Sequence, residues 1–317
     1  MQISSIDSPQ RFALLRAPAE PVLSTRALTL LLAVSAACGG DPPTPDAPAP
    51  DIGFNKPLAP LKANVKNAEV GPADLSCLGM PSGDPSTTVP IALSATVRDY
   101  FQKDMLMVGA VVTAFHDTEV GQPFDTRTAD AQGAVTLGVP VGTRRFGLKM
   151  THKDALDTLL LNQAIDPIMA AQSLGYVETI SAGTAAALSA FIGKLRTAGT
   201  GVLAGAMRDC QGRDLSNFIA TVSSAPGTAA HLAGADAYYF DPATDFPARH
   251  KQFEAASSDG LFMVIELAPT PTAYVQVWGY PADADLAADR LTLVGELQAP
   301  VIADTVITGT YEPLRTR

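Results

Sequence analysis

Two stretches of sequence decide the fold, and they are variants of one phrase: IALSATVRD at Ile91–Asp99 and GVLAGAMRD at Gly201–Asp209. In the first, apolar residues alternate with small or polar ones, which is typical of a strand with one buried face. Each stretch ends on an Arg-Asp pair, which predicts a turn. The repetition predicts that the chain contains two copies of one β-rich unit.

The segments that follow the two phrases also correspond. They are GAVVTAF (Gly109–Phe115) with NFIATVS (Asn217–Ser223), TADAQGAVTLGVPVGT (Thr128–Thr143) with ASSDGLFMVIELAPTPT (Ala256–Thr272), and RFGLKM (Arg145–Met150) with AYVQVWGY (Ala273–Tyr280). The second copy is longer, and we assign its extra residues to a strand at GADAYYF (Gly234–Phe240) and the loop after it. Short strands separated by Gly and Pro turns predict a β-sandwich in each copy.

These repeats resemble the carboxypeptidase regulatory-like domain, a transthyretin-like sandwich. The residues that carry the resemblance are Arg98-Asp99, Asp130–Gly133 and Pro140-Val141-Gly142 in the first copy, and Arg208-Asp209, Asp259-Gly260 and Pro269-Thr270-Pro271, which lacks the glycine, in the second. The resemblance implies a mainly β fold with two tandem transthyretin/Ig-like sandwiches. It implies no activity, because such domains are usually non-catalytic accessories.

A helical connector is predicted between the two copies. The first helix covers Lys153–Ala164, and a second begins at Asp166-Pro167, as N-cap and first helical residue, and stops at Gly175. A third has apolar residues at helical spacing, namely Leu188, Phe191, Ile192 and Leu195, and Ser181 or Thr184 can cap it. The connector is either a spacer packed against both sandwiches or the wall of a ligand groove.

The N-terminal region reads as an export signal. ALTLLLAVSAA (Ala27–Ala37) is an apolar run without charge, Arg26 precedes it, and small residues end it, which is typical of a secretory signal peptide. The alternative, a buried core helix, is disfavoured by the proline-rich segment GGDPPTPDAPAP (Gly39–Pro50), which predicts an extended tether.

The motif SAAC (Ser35–Cys38) resembles the cleavage site of bacterial lipoproteins. The resemblance implies cleavage before Cys38, lipidation of Cys38, and a lipid-anchored protein of the cell envelope. Gly39 after the cysteine then favours the outer membrane of a Gram-negative bacterium. The predicted organisation is a signal peptide at residues 1–37, lipidated cysteine and tether at 38–74, a first sandwich at 75–152, the helical connector at 153–199 and a second sandwich at 200–317.

Two cysteines remain once Cys38 is lipidated. Cys77 precedes the first strand of the first copy, and Cys210 ends the first strand of the second copy. In an oxidising compartment they are candidates for a disulfide that joins the two halves. Two separate buried thiols are the alternative.

Composition limits the partners. The chain has a net charge of −10, with 47% hydrophobic and 17% charged residues. An acidic protein is a poor ligand for phosphate backbones, so we expect no nucleic-acid partner. The expected partners are the membrane, through the lipid anchor, and an envelope protein or polysaccharide.

The sequence offers no convincing catalytic site. It contains no HExxH, GxSxG, GxxxxGK[ST] or GxGxxG motif, and we predict no catalytic residue, metal or cofactor. HDTE at His116–Glu119 could hold a cation with Asp125 and Asp130, or form a solvated loop. Tyr238, Tyr239, His231 and His250 are the residue types that bind iron in intradiol dioxygenases, but adjacent tyrosines on one strand point to opposite faces.

The candidate ligand contacts are Tyr239, Trp278 and His250. Exposed aromatic residues could stack on sugar rings, whereas buried ones would belong to the core. We expect any ligand to bind the parts without a counterpart in the other copy, which are the helical stretch and the insertion. The sequence therefore favours a non-catalytic envelope lipoprotein that displays two sandwiches as a structural or binding module. The alternative is a hydrolase of envelope polymer with its site between the domains.

Overall fold

A computed structural model describes residues 55–249 and 252–316, and these residues are mainly β. The strands are β1 (Lys62–Val65), β2 (Ala68–Pro72), β3 (Ile91–Asp99), β4 (Val111–His116), β5 (Pro123–Thr128), β6 (Ala134–Val139), β7 (Arg145–Thr151), β8 (Ala155–Ala164), β9 (Ala171–Ser181), β10 (Gly201–Met207), β11 (Asp214–Ser216), β12 (Ile219–Ser223), β13 (Asp236–Asp241), β14 (Phe246–Pro247), β15 (Leu261–Leu267), β16 (Thr270–Gly279), β17 (Thr292–Val301) and β18 (Thr305–Tyr311). The helices are α1 (Ala182–Ile192) and α2 (Asp283–Ala287).

The two copies share one pattern of strand pairing. In the first copy, β3 pairs antiparallel with β6 and parallel with β9, and β7 pairs antiparallel with β4 and β8. In the second copy, β10 pairs antiparallel with β15 and parallel with β18, and β16 pairs antiparallel with β12 and β17. The predicted mainly β fold, built of sandwiches, is confirmed.

Each copy encloses a hydrophobic core between its two layers. In the first, the alternating face of β3, with Leu93 and Val97, packs against Phe146 and Leu148 of β7. In the second, Leu203 of β10 belongs to a core to which β12, β15, β16, β17 and β18 contribute. The alternation in IALSATVRD thus marks the buried face of β3, whose burial also alternates.

The two sandwiches share a sheet. β18, at the edge of one layer of the second copy, pairs parallel with β8, at the edge of one layer of the first. The register runs from Thr305 opposite Asp157 to Gly309 opposite Leu161. Across this joint, Arg145 binds Glu312 at 2.8 Å, and within the first copy it binds Asp84 at 2.6 Å. The predicted disulfide between Cys77 and Cys210 is present, with the Cα atoms 5.8 Å apart.

The connector is less helical than predicted. Residues 155–164 form β8 and residues 171–181 form β9, so the first two predicted helices are wrong, whereas the third is confirmed as α1 with Ser181 as its N-cap. The leucines of β8 fit either periodicity, and pairing with β7 and β18 on its two sides decides for the strand. Asp166 starts a turn, since its Oδ1 accepts from the Ile168 N–H at 3.0 Å, and Gly175 lies inside β9 at φ +66°.

The stretch before Asp74 is also more ordered than expected. β1 and β2 pair with each other, and β1 pairs with β11 of the second copy, Ala63 lying opposite Leu215. Leu61 is buried in the core of the second sandwich. Strands of four and five residues are too short to show a clear periodicity, and β11, the other partner of β1, is far away in sequence. The signal peptide, Cys38, the proline-rich tether and His250 lie outside the described residues.

The recurring aspartates hold turns, as the repeat predicts. Asp130 Oδ1 accepts from the N–H groups of Gln132 and Ala134, and Asp209 Oδ1 accepts from those of Gln211 and Arg213.

Among the residues described here, no helix is long and apolar enough to cross a membrane.

Candidate functional site

Two segments that have no counterpart in the other copy meet at one surface. They are α1 and the insertion, whose described part comprises β13, β14 and the adjoining loops up to Arg249. Between them lies a cavity of about 240 Å³, which we call the aromatic groove. Its lining consists of Phe191, Asp241, Thr244, Phe246, Pro247, Ala248, Arg249 and Gln252.

Helix α1 positions Phe191 at its C-terminal end. The Ser181 Oγ accepts from the Thr184 N–H at 3.1 Å, which satisfies one of the free donors of the first turn. Gly193 ends the helix at φ +75°, a conformation that favours glycine, and its N–H donates to the Ala190 carbonyl. Phe191 precedes this stop by two residues, and 40% of its surface is exposed.

The insertion positions Phe246. β13 pairs antiparallel with β15, and β14 pairs back on β13 with Asp241 opposite Phe246. The Asp241 carboxylate accepts from the Ala243 N–H at 2.9 Å, and the Asp241 carbonyl accepts from the Asp245 N–H at 2.8 Å. These bonds close a tight turn and place the Phe246 ring against Phe191.

Three phenylalanine rings form a cluster at this surface. Phe191 and Phe246 stack with centroids 4.4 Å apart, and Phe101, from the turn after β3, lies 5.0 Å from Phe246. Phe101 and Phe191 are each more than one third exposed, so the cluster is not part of a closed core. Clustered exposed aromatic residues are typical of binding surfaces.

Asp99 ties the turn that carries Phe101 to α1. Its Oδ1 accepts from the Phe101 N–H at 2.9 Å and from the Thr184 hydroxyl at 2.6 Å, and its Oδ2 accepts from the Ser181 N–H at 2.8 Å. Burial raises the pKa of Asp99, but bonds from Gln102, Thr184 and Ser181 outweigh it and hold the pKa below the ordinary value. The carboxylate therefore fixes the turn and the helix start relative to each other.

Charged groups flank the cluster. The Lys103 ammonium donates to the Glu178 carboxylate at 2.7 Å, and burial lowers the pKa of Lys103. Burial raises the pKa of Asp245, with Asp241 adding to this effect and Lys103 opposing it. Arg249 is exposed and lies next to Gly193, the residue that ends α1. Its guanidinium carbon is 3.6 Å from the position that a Cβ on Gly193 would occupy. The groove thus combines apolar rings with negatively and positively charged groups that can form hydrogen bonds.

The residues predicted to contact a ligand are not in the groove. Tyr239 and Trp278 are only 5% and 8% exposed, which assigns them to the buried alternative. The Tyr239 hydroxyl accepts from the Ala220 N–H at 3.0 Å, and the Trp278 indole donates to the Thr221 hydroxyl at 3.0 Å. Both therefore have structural roles, while His250 lies outside the described residues.

The sequence held a weak signal for the groove. Phe191 belongs to the apolar stripe that predicts the third helix, while Leu195 of the same stripe lies beyond α1 and is 84% exposed. Phe246 and Arg249 fall in the extra residues of the second copy, where we expected a ligand to bind. Their identity as groove residues depends on the meeting of α1 with the insertion.

Metal-binding and iron-binding arrangements are not formed by the described residues. Within residues 55–249 and 252–316, no group of three or more His, Cys, Asp or Glu side chains could hold a metal ion. Asp125 instead accepts from the Gly138 N–H at 2.7 Å. Tyr238 and Tyr239 point to opposite faces, as expected, since they belong to different hydrophobic clusters.

No protein-family model matches the chain, and no curated protein is similar to it. Several solved structures are similar over most of its length. The shaft pilin SpaA of Lactobacillus rhamnosus GG is 11% identical, with 73% of this chain and 98% of that chain covered and a TM-score of 0.21. The TIE protein of Bacillus anthracis is 11% identical over 71% of this chain and 34% of its own, with a TM-score of 0.23, and a streptococcal ancillary pilin is 13% identical over 72% and 63%, with a TM-score of 0.19. At these values the likeness carries no inference about function.

Proposed function

We propose that this chain is a non-catalytic lipoprotein of the cell envelope, which displays two joined β-sandwiches and binds an envelope ligand at the aromatic groove. The observation that carries the proposal is the meeting of α1 and the insertion in a groove with partly exposed phenylalanine rings. Residues that both copies share at equivalent turns serve the fold, whereas the groove is built by parts that only one copy has.

The chemistry of the groove favours a polysaccharide segment. Thr244, Gln252, Asp241 and Arg249 supply donors and acceptors around the apolar rings, and ligand sites combine an apolar lining with a few polar groups. The volume of about 240 Å³ suits one unit of a longer chain, because sites for whole drug-sized ligands measure roughly 300–1,000 Å³. The disulfide and the predicted signal peptide both favour an oxidising compartment outside the cytosol.

Affinity electrophoresis in gels that contain purified envelope polysaccharide tests the proposal. We expect the polysaccharide to retard the full chain, and the retardation to be lost in Phe246→Ala and Arg249→Ala. Val141→Ala is the matched control, because Val141 is exposed on a turn of the first sandwich. Equal retardation of all three variants, or hydrolysis of the polysaccharide by the purified chain, would contradict the proposal. Retardation of none, together with photo-cross-linking of position 246 to an envelope protein, would replace polysaccharide by protein as the ligand class.

A further inference from the structure

The joint between the two sandwiches is a parallel strand pair, and each of its halves has a counterpart elsewhere in the molecule. The counterpart of β18 is β9. β18 pairs parallel with β10, Val202 lying opposite Val306, and β9 pairs parallel with β3, Ala92 lying opposite Ala171. The segments GYVE, from Gly175, and GTYE, from Gly309, share their first and last residues.

The counterpart of β8 is β17. β8 forms an antiparallel pair with β7, and β17 forms the same pair with β16. The start of each strand is covered by the end of its own copy, which is the end of β9 for β8 and the chain after β18 for β17. Leu156 of β8 lies opposite Ile180, and the Leu314 N–H donates to the Val294 carbonyl of β17 at 2.8 Å.

Apart from these covered stretches, β9 and β17 differ from β18 and β8 in one respect. In the joint, β8 and β18 pair with each other. Among the described residues, the outer edge of β9 along Ala171–Tyr176 and the outer edge of β17 along Gly295–Ala299 have no strand partner. In the described part of the chain, β9 and β17 are therefore open counterparts of the two strands that form the joint, β18 and β8.

Several other sheet edges are covered or blunted. At β6 the Gly138 N–H is taken by Asp125, and at β12 the Val222 carbonyl accepts from the Leu232 N–H at 2.6 Å. β5 and β14 carry prolines, Pro123 and Pro247, which natural edge strands use against unwanted pairing.

The two open stretches themselves contain no proline. Along Ala171–Tyr176 there is neither a proline nor a charged residue, and alternate residues are exposed, Tyr176 to 49%. Along Gly295–Ala299 the one charge is Glu296, whose carboxylate already accepts from the Gln276 amide at 2.9 Å and the Gly227 N–H at 2.7 Å. Pro300 follows the open stretch.

We propose that the β9 edge of one molecule docks in parallel on the β17 edge of a second copy of the same chain, and so repeats the internal joint between molecules. The internal register, transferred to these strands, places Ser173 opposite Leu297 and next to Gln298. Because the two edges differ, the contact is heterologous, and each added molecule presents a new free edge. The assembly therefore grows head to tail.

Mixed cross-linking of two single-cysteine chains tests this arrangement. Ser173 and Gln298 are both exposed, and Cys77 and Cys210 are occupied by their disulfide. Full chains carrying Cys38→Ser with either Ser173→Cys or Gln298→Cys are treated with a short bismaleimide, separately and mixed. We expect cross-linked dimers when the two chains are mixed and none when either chain is treated alone.

The matched control replaces Ser173→Cys by Thr126→Cys, on the exposed edge strand β5. We expect this control mixture to give no dimer, and sedimentation velocity of the chain without added cysteines to show species beyond the dimer as concentration rises. Dimers of Ser173→Cys alone would indicate a symmetric contact and overturn the proposal. Equal dimer yields in the test and control mixtures would overturn it as well.

Discussion

Asp130 and Asp259 occupy corresponding turns, but their surroundings differ. Asp130 is exposed, whereas Asp259 is 7% exposed. The Asp259 Oδ1 accepts from the Leu261 N–H at 2.9 Å and the Ser257 hydroxyl at 3.0 Å, while its Oδ2 has no hydrogen-bond partner among the described residues. Burial raises the pKa of Asp259 to about 7, and Asp245 and Asp214 add to the shift. The turn position that holds an exposed aspartate in the first copy thus holds a buried one in the second.

Replacing Asp259 by asparagine should stabilise the protein at neutral pH. The pKa is 3.8 in the unfolded chain and about 7 in the fold. Between these values the unfolded state releases the proton and the folded state keeps it, so stability falls as pH rises through this window. The asparagine side chain would keep the Oδ1 acceptor without a titrating group. Urea unfolding from about pH 4 to pH 8 should show the free energy of unfolding of wild type falling relative to Asp259→Asn; parallel pH profiles would contradict the assignment.

At the scale of elements, β10 and β18 approach closely because Gly205 has no side chain. A Cβ at Gly205 would lie against the Tyr311 ring and 2.5 Å from the Gly309 carbonyl oxygen. Tyr311 is buried and closes the core of the second sandwich. The contact therefore helps to seat the strand that also forms the joint with β8.

Gly205→Ala should destabilise the fold by about 1–3 kcal/mol, the usual cost of overpacking a core. The Tyr311 ring must move, and the neighbouring backbone leaves it little room. Gly83→Ala is the control, because no atom lies within 4 Å of the position of its Cβ. Thermal unfolding of both variants measures the difference; equal melting temperatures would show that the sheet adjusts without cost.

At the scale of the whole molecule, the disulfide joins Cys77, before the first sandwich, to Cys210, in the second, across 133 residues. Cross-linking so long a segment restricts the unfolded chain, and removal of a native disulfide costs roughly 2–5 kcal/mol. The double variant Cys77→Ala/Cys210→Ala should therefore unfold at lower urea concentration than wild type. Reducing agent should lower the midpoint of wild type and leave that of the double variant unchanged. Peptide mapping that recovers both cysteines as free thiols from the oxidised protein would contradict the pairing.

Membrane attachment is predicted to depend on Cys38. Metabolic labelling with a palmitate analogue should mark the wild-type chain, and Cys38→Ser should lose the label and move from the membrane fraction to the soluble fraction. Cys77→Ser tests for nonspecific labelling and should keep the label. Equal labelling of wild type and Cys38→Ser would remove the lipoprotein assignment.

The sequence by itself determined the repeated unit. Alternation along IALSATVRD marks a strand that buries one face, and the Arg-Asp, Asp-Gly and Pro-Gly positions mark turns, because these signals depend on neighbours within a few residues. The third predicted helix is local in the same way, and the structure selects Ser181 over Thr184 as its N-cap. Because the turn aspartates recur in both copies, the repeat also separates residues that serve the fold from segments that only one copy has.

Only the tertiary structure decided how the two copies are joined and where the candidate site lies. Leu156, Leu159 and Leu160 satisfy a helical spacing, and they form a strand because β7 and β18 pair with both sides of β8. Phe191 and Phe246 lie far apart in sequence and meet because Asp99 fixes α1 and the β13–β14 turn folds toward it. Local sequence patterns contain no information about such distant partners, and hydrogen bonding and burial between them select one of several locally acceptable conformations.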